Sequence, residues 1–191
     1  MINFPTGMFE WAMIASQLSP LQTIKFQRFL RRFRLAYCFD GIKLHYLDKN
    51  TIDGYSALFS VFLSYTSYEL LWSSISLYYD DASVKEERTK FSVLNPDLAL
   101  RLKHYKKLEE FLHLEDKNHP LTQQVDRFFS SDDSDILPLL EAIKDKVMHG
   151  FFSIGVMKAD SREHSKDIWD ASRELLVVTE DIFHNFVLCE S

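Results

Sequence analysis

Residues 55–79 read YSALFSVFLSYTSYELLWSSISLYY, 25 residues with a single charge at Glu69. A segment this long and this poor in charge can go to the core of a bilayer or to the middle of a helical bundle. Three features choose the bundle. Eight of the 25 residues are Ser or Thr, Glu69 lies well inside, and neither flank carries the Lys/Arg of a positive-inside loop. The segment is therefore read as a helix over 54–79, capped by Asp53 and enclosed by protein. Its Ser56, Ser60, Ser64 and Ser67 recur at four, four and three residues. That spacing lines small side chains along one face, where another backbone can come close; the equal alternative is a buried helix that is merely rich in Ser.

The rest of the 191-residue chain must supply what encloses it. Five Gly and five Pro are too few for the many turns of a large sheet protein, so sandwiches, barrels and doubly wound sheets are disfavoured. Apolar residues recur at helical steps instead. Thr6 to Leu18 reads as a short entry helix. Ser19-Pro20 reads as the start of a second, with Ile24, Phe26, Phe29, Leu30, Phe33 and Tyr37 as its stripe, running to about Leu47 unless Gly41 interrupts it. Residues 80–95 are polar and poorly periodic and read as a loop. Helices follow from Pro96 to about Leu114 and from Leu121 to Phe129. A further helix from about Ser134 to His149 buries Ile136, Leu140, Ile143 and Val147. Asp160-Ser161-Arg162-Glu163 resembles a capping box opening the last helix, with Ile168, Leu175, Ile182 and Phe186 on one stripe and Trp169, Leu176 and Phe183 beside it. The expectation is one all-α domain over 1–191, an up-and-down bundle of four to five main helices.

The formal net charge is −6 but is unevenly laid. Residues 1–50 hold seven Lys/Arg against three Asp/Glu, and residues 51–191 hold fifteen against twenty-five. A uniformly basic coat is excluded, while a basic patch on an acidic body is not. The patch is Lys25, Arg28, Arg31, Arg32 and Arg34, interleaved with Phe26, Phe29 and Phe33. Such a run is a candidate phosphate or RNA contact. Its bland counterpart is a solvated face, salt-bridged to the acidic remainder, with the aromatics claimed by the core. Cys38 and Cys189 stand apart among apolar residues and read as buried free thiols of a cytoplasmic protein. The opening MINFPTGMFEWAM lacks the basic region of a signal peptide.

One short segment carries chemistry, Glu141-Ala-Ile-Lys-Asp-Lys-Val-Met-His149-Gly150. Asp145 and His149 lie one helical turn apart, and a carboxylate so placed can orient an imidazole as general base. Ala142 joins them on a face turned away from the Ile143 stripe, a face expected to reach solvent or a partner subunit. Lys144 is about 140° around the helix from His149. The competing reading is an ordinary helix end, with Gly150 past the last turn and the cations set against the negative end of the dipole.

KDKVMHGF resembles the signature of the HEPN superfamily, an Arg, a polar residue, a short spacer and His, often followed by Gly. The match puts Lys144 at the Arg position, Asp145 at the polar position and His149 at the His. The resemblance implies an all-α bundle that dimerises and brings two motifs together, and often a metal-independent ribonuclease whose Arg and His act on the RNA backbone. Lysine keeps the charge of the family's Arg but loses its bidentate fork. A toxin branch has Tyr two residues after the His, where this chain has Phe151. What the resemblance implies is thus a dimeric module, non-catalytic or weakly active, that binds RNA, nucleotide or a protein partner, with no cofactor. The alternative is an active ribonuclease with Lys144, Asp145 and His149 as its catalytic set. An antitoxin or a nucleotidyltransferase would then be its partner.

A third reading is a carboxylate-bridged metal site, with Glu110/His113 and Asp181/His184 as the paired ligands and Glu69 and Glu141 as the single ones. Acid and His at this spacing are expected by chance in so acidic a chain.

Overall fold

The computed structural model describes residues 20–43, 45–77, 80–112, 120–149 and 162–185. The described residues form α1 (Pro20–Cys38), α2 (Lys49–Ile75), α3 (Asp81–Lys90), α4 (Pro96–Lys103), α5 (Lys106–Leu112), α6 (Pro120–Ser130), α7 (Leu137–Met148) and α8 (Arg162–Phe183). No strand occurs among them, only an isolated bridge between Leu94 and Asp135. The expected entry helix lies outside the described residues. So do Cys189, Phe151, Phe186, Gly150 and the first half of the capping box.

α2 is the central helix, packed against α1, α7 and α8. Buried residues occur all around it, as its lack of charge requires. Among the described residues, no helix is long and apolar enough to cross a membrane. α2 starts earlier than Asp53 suggests. The cap is Asp48, whose carboxylate accepts from the Thr51 N–H at 3.0 Å and the Thr51 hydroxyl at 2.6 Å. Asp53 therefore sits inside the helix.

The serine stripe does bring other chain segments close to α2. Ser60 Oγ meets Ser172 Oγ of α8 at 2.5 Å, both fully buried. Ser56 Oγ accepts from the Ile42 N–H at 2.9 Å. The loop after α1 reaches that hydroxyl through Gly41 at φ +118°, where a β-carbon would lie 3.2 Å from Ser56 Oγ. Gly is the residue that tolerates both the dihedral and the approach.

α1 ends at Cys38 rather than near Leu47, and α8 supplies the reason. The Arg173 guanidinium donates to the carbonyls of Tyr37 and Phe39 at 2.8 Å each. A cation from another helix thus satisfies terminal carbonyls that have no partner inside α1. Nearer the start of α1, Phe26 and Phe29 lie against Phe183 at the C-terminal end of α8. α1 therefore runs antiparallel to α8. It also runs antiparallel to α2, since Lys25 reaches Ser73 O and Arg32 covers Phe62.

Further departures have local causes. Residues 81–90, expected as loop, form α3, with Asp80 accepting from the N–H groups of Ala82 and Ser83. Its one buried apolar side chain is Val84, too little to show as periodicity. The helix expected from Pro96 to Leu114 breaks at His104–Tyr105 into α4 and α5. α7 starts at Leu137, not Ser134, because Asp135 caps from outside. Its Oδ1 accepts from Leu137 N at 3.0 Å and from Val93 N at 2.9 Å. Burial lifts the Asp135 carboxyl above its ordinary value.

The core stripes otherwise fall as the periodicity predicts. Phe26, Phe29 and Phe33 are buried on α1, Ile136, Leu140, Ile143 and Val147 at α7, and Ile168, Leu175 and Ile182 on α8. Ile24 and Tyr37, expected on the α1 stripe, are exposed instead. Cys38, expected to be buried, is also exposed.

Candidate functional site

The α7 segment holds the sequence-derived triad, and it does not assemble as one constellation. Lys144 is turned inward and is only 9% exposed. Its Nζ lies 2.7 Å from Asp145 Oδ1 and 3.1 Å from Glu69 Oε1 of α2. The Tyr65 ring lies 5.2 Å away, within cation–π range. Burial pulls the ammonium's pKa down, but the hydrogen bonds and charges of Asp145 and Glu69 outweigh it. Lys144 ends above the ordinary lysine value of 10.5.

Asp145 thus faces Lys144. Among the described residues the His149 ring has no hydrogen-bond partner, and His149 is the exposed C-terminal residue that closes α7 through a backbone bond to Asp145 O at 3.0 Å. Ala142, expected on an outward face with Asp145 and His149, is fully buried. α7 is covered on more sides than its apolar stripe alone requires. Met148, next to His149, is exposed.

The ion cluster continues inward. Burial, and then the Glu141 carboxylate, push the Tyr65 phenol well above the usual tyrosine value. Arg88 of α3 lies over the Tyr68 ring at 5.4 Å. The arrangement is a closed charge cluster at the α2–α7 contact, built from Glu69, Lys144 and Asp145 over a tyrosine floor. Sequence reasoning singled out Glu69 and Lys144 separately. Nothing local pairs them, because 75 residues separate them.

The second candidate, on α1, faces the other way. Arg28, Arg31 and Arg34 are exposed, while Lys25 and Arg32 are half-buried. Lys25 Nζ donates to Ser73 O at 3.3 Å, and Arg32 sits 6.0 Å over the Phe62 ring. Among the described residues neither Arg28 nor Arg31 has a carboxylate partner. They share their face with exposed Leu21, Ile24 and Leu35. The interleaved phenylalanines are buried and cannot stack on a base.

Among the described residues, no group of three His, Cys, Asp or Glu side chains is placed to hold a metal ion. Glu69 is engaged by Lys144, and His184 stands 3.9 Å from Glu180. His113 lies outside the described residues. No protein-family model, no curated protein and no solved structure matches the chain.

Proposed function

We propose that this chain is a HEPN-like helical module that binds RNA phosphates without cleaving them. The observation that carries the reading is the closed cluster at Lys144. A phosphate contact needs a cation with open hydrogen-bond donors near the general base. Lys144 has two carboxylates on its ammonium and turns away from the exposed His149 end. A phosphate arriving there would meet the negative charges of Glu69 and Asp145.

Binding is assigned to α1. Arg28 and Arg31 offer guanidiniums to solvent, and the buried phenylalanines leave the contact electrostatic. Affinity is then weak, sequence-tolerant and steeply dependent on salt. The chain acts as a dimer in this proposal, with Met148 and His149 the exposed edge at the end of α7 that a partner copy would cover.

Anisotropy of a labelled single-stranded RNA tests the binding, and gel analysis of the same RNA without metal tests the chemistry. Wild type is expected to bind, to lose roughly twentyfold in affinity on a fourfold rise in salt if about three phosphates are neutralised, and to leave the RNA intact. Cleavage that His149→Ala abolishes and Lys144→Arg increases would overturn the non-catalytic reading and favour the ribonuclease. Light scattering that finds only the 22.5 kDa monomer at micromolar concentration would remove the dimer.

A further inference from the structure

The outer side of α1 carries a second pattern beside the core stripe. Leu21, Ile24, Arg28, Arg31 and Leu35 recur at three, four, three and four residues. At about 100° per residue they fall within about 80° of the helix circumference, on the side away from Phe26, Phe29 and Phe33. The line from Leu21 to Leu35 is about 21 Å long. This three-four alternation is what one helix presents to another in a coiled coil. Leu21, Ile24 and Leu35 are 59%, 47% and 51% exposed, so the aliphatic part of the line stands open to solvent. RNA phosphates account for the two arginines and leave the three aliphatic side chains without a role.

Three kinds of occupant fit a line of this length, and charge chooses among them. A second copy of α1, laid seam to seam in full register, sets arginine against arginine whichever way it runs. A lipid surface takes up helices whose apolar face is broad and whose cations lie on the opposite, polar side. Here the aliphatic side chains form a single line and the arginines interrupt its middle. A helix with apolar residues towards its ends and carboxylates at its centre matches both parts. Its apolar side chains cover Leu21 and Ile24 at one end and Leu35 at the other. Its carboxylates meet Arg28 and Arg31, which have no carboxylate partner among the described residues. α1 supplies none of its own, because residues 20–38 contain no Asp or Glu.

We propose that the outer seam of α1 docks an acidic amphipathic helix of a partner protein. One helix laid on one helix buries less than a standard interface, so the contact is transient and micromolar. It uses the same arginines as the RNA contact but does not depend on RNA binding.

The probe is a synthetic three-heptad peptide with leucine at the outer seam positions and glutamate at the two central ones. Its control has lysine in place of both glutamates. Anisotropy of the labelled peptides with the full chain is expected to give a Kd of about 10–100 µM for the acidic peptide, and at least about tenfold weaker binding for the lysine control. Leu21→Ser/Ile24→Ser replaces exposed side chains, so it should leave thermal melting unchanged while weakening the acidic peptide by about tenfold or more. Arg28→Glu/Arg31→Glu should reverse the preference, losing the acidic peptide and gaining the lysine control, an exchange that a general loss of fold does not imitate. Equal binding of the two peptides, no binding at about 500 µM, or full affinity in Leu21→Ser/Ile24→Ser overturns the docking. So does sedimentation with phosphatidylglycerol vesicles, or a concentration-dependent dimer, that Leu21→Ser/Ile24→Ser abolishes, because the seam's occupant is then lipid or a second copy. RNA bound without the peptide overturns this inference alone, and peptide bound without RNA overturns the RNA reading alone.

Discussion

Lys144 and Arg28 carry the same charge on two helices that both pack against α2, and their surroundings give them opposite work. Lys144 projects into the α2–α7 contact, where Glu69 and Asp145 close around it and Tyr65 lies beneath. Arg28 projects from the outer side of α1, where the described residues offer it no carboxylate. An enclosed cation holds helices together and is hidden from ligands. An exposed one contributes little to stability and is available to a polyanion. The lesson is that a catalytic motif depends on where its cation points as much as on which residues it contains.

The most severe way to test this contrast is to delete each cation in turn. Lys144→Ala leaves Glu69 and Asp145 facing each other over Tyr65. Their side chains are 38% and 35% exposed, so the cost is below that of a wholly buried pair, about 2 kcal/mol. Arg28→Ala and Arg31→Ala should each change stability by less than about 0.5 kcal/mol. Urea unfolding measures all three, and comparable losses would erase the distinction.

Reversing the exposed charges probes the other half of the contrast. Arg28→Glu/Arg31→Glu should lower RNA affinity by roughly tenfold or more at low salt and flatten the salt slope, while Lys144→Met should leave both unchanged. Anisotropy titrations at two salt concentrations decide it. A larger loss from Lys144→Met than from the α1 pair would reverse the assignment.

Alkaline pH should loosen only the enclosed side. Lys144 sits above its ordinary 10.5 in the folded chain, so its contribution is complete below that pH and fades as pH rises through the native value. The Tyr65 phenol, held neutral above its ordinary 10.0, acts in the same sense. Stability should therefore fall between about pH 10 and 12, and less steeply in Lys144→Met. Parallel pH profiles for the two proteins would show that the cluster is not what titrates.

His149→Ala should have the smallest effect. The ring is exposed and has no hydrogen bond among the described residues, so stability should stay within about 0.5 kcal/mol of wild type and RNA affinity should not move. A larger change in either would return the segment to the centre of the function.

Much of the fold was legible because burial along a helix follows a period of 3.6 residues. Phe26, Phe29 and Phe33, or Ile136, Leu140 and Ile143, announce their inward face from spacing alone. α3 escaped because a helix with one buried apolar residue has no stripe to detect. Its cap, Asp80 ahead of Ala82 and Ser83, was the available signal. The break at His104 escaped because nothing local requires it. Tyr105 turns inward to lie under His164 of α8, a residue 59 positions further along the chain.

By itself, then, the sequence determined the all-α class, the central place of the nearly uncharged 55–79 segment, and the close approach its serines permit. Those properties follow from side-chain size and polarity read at fixed steps along a helix. Only the tertiary structure decided that Lys144 meets Glu69 and that Arg173 caps α1. These are pairings between groups far apart in the chain. Coulomb attraction and hydrogen bonding depend on distance in space, and composition and spacing along the chain do not encode that distance.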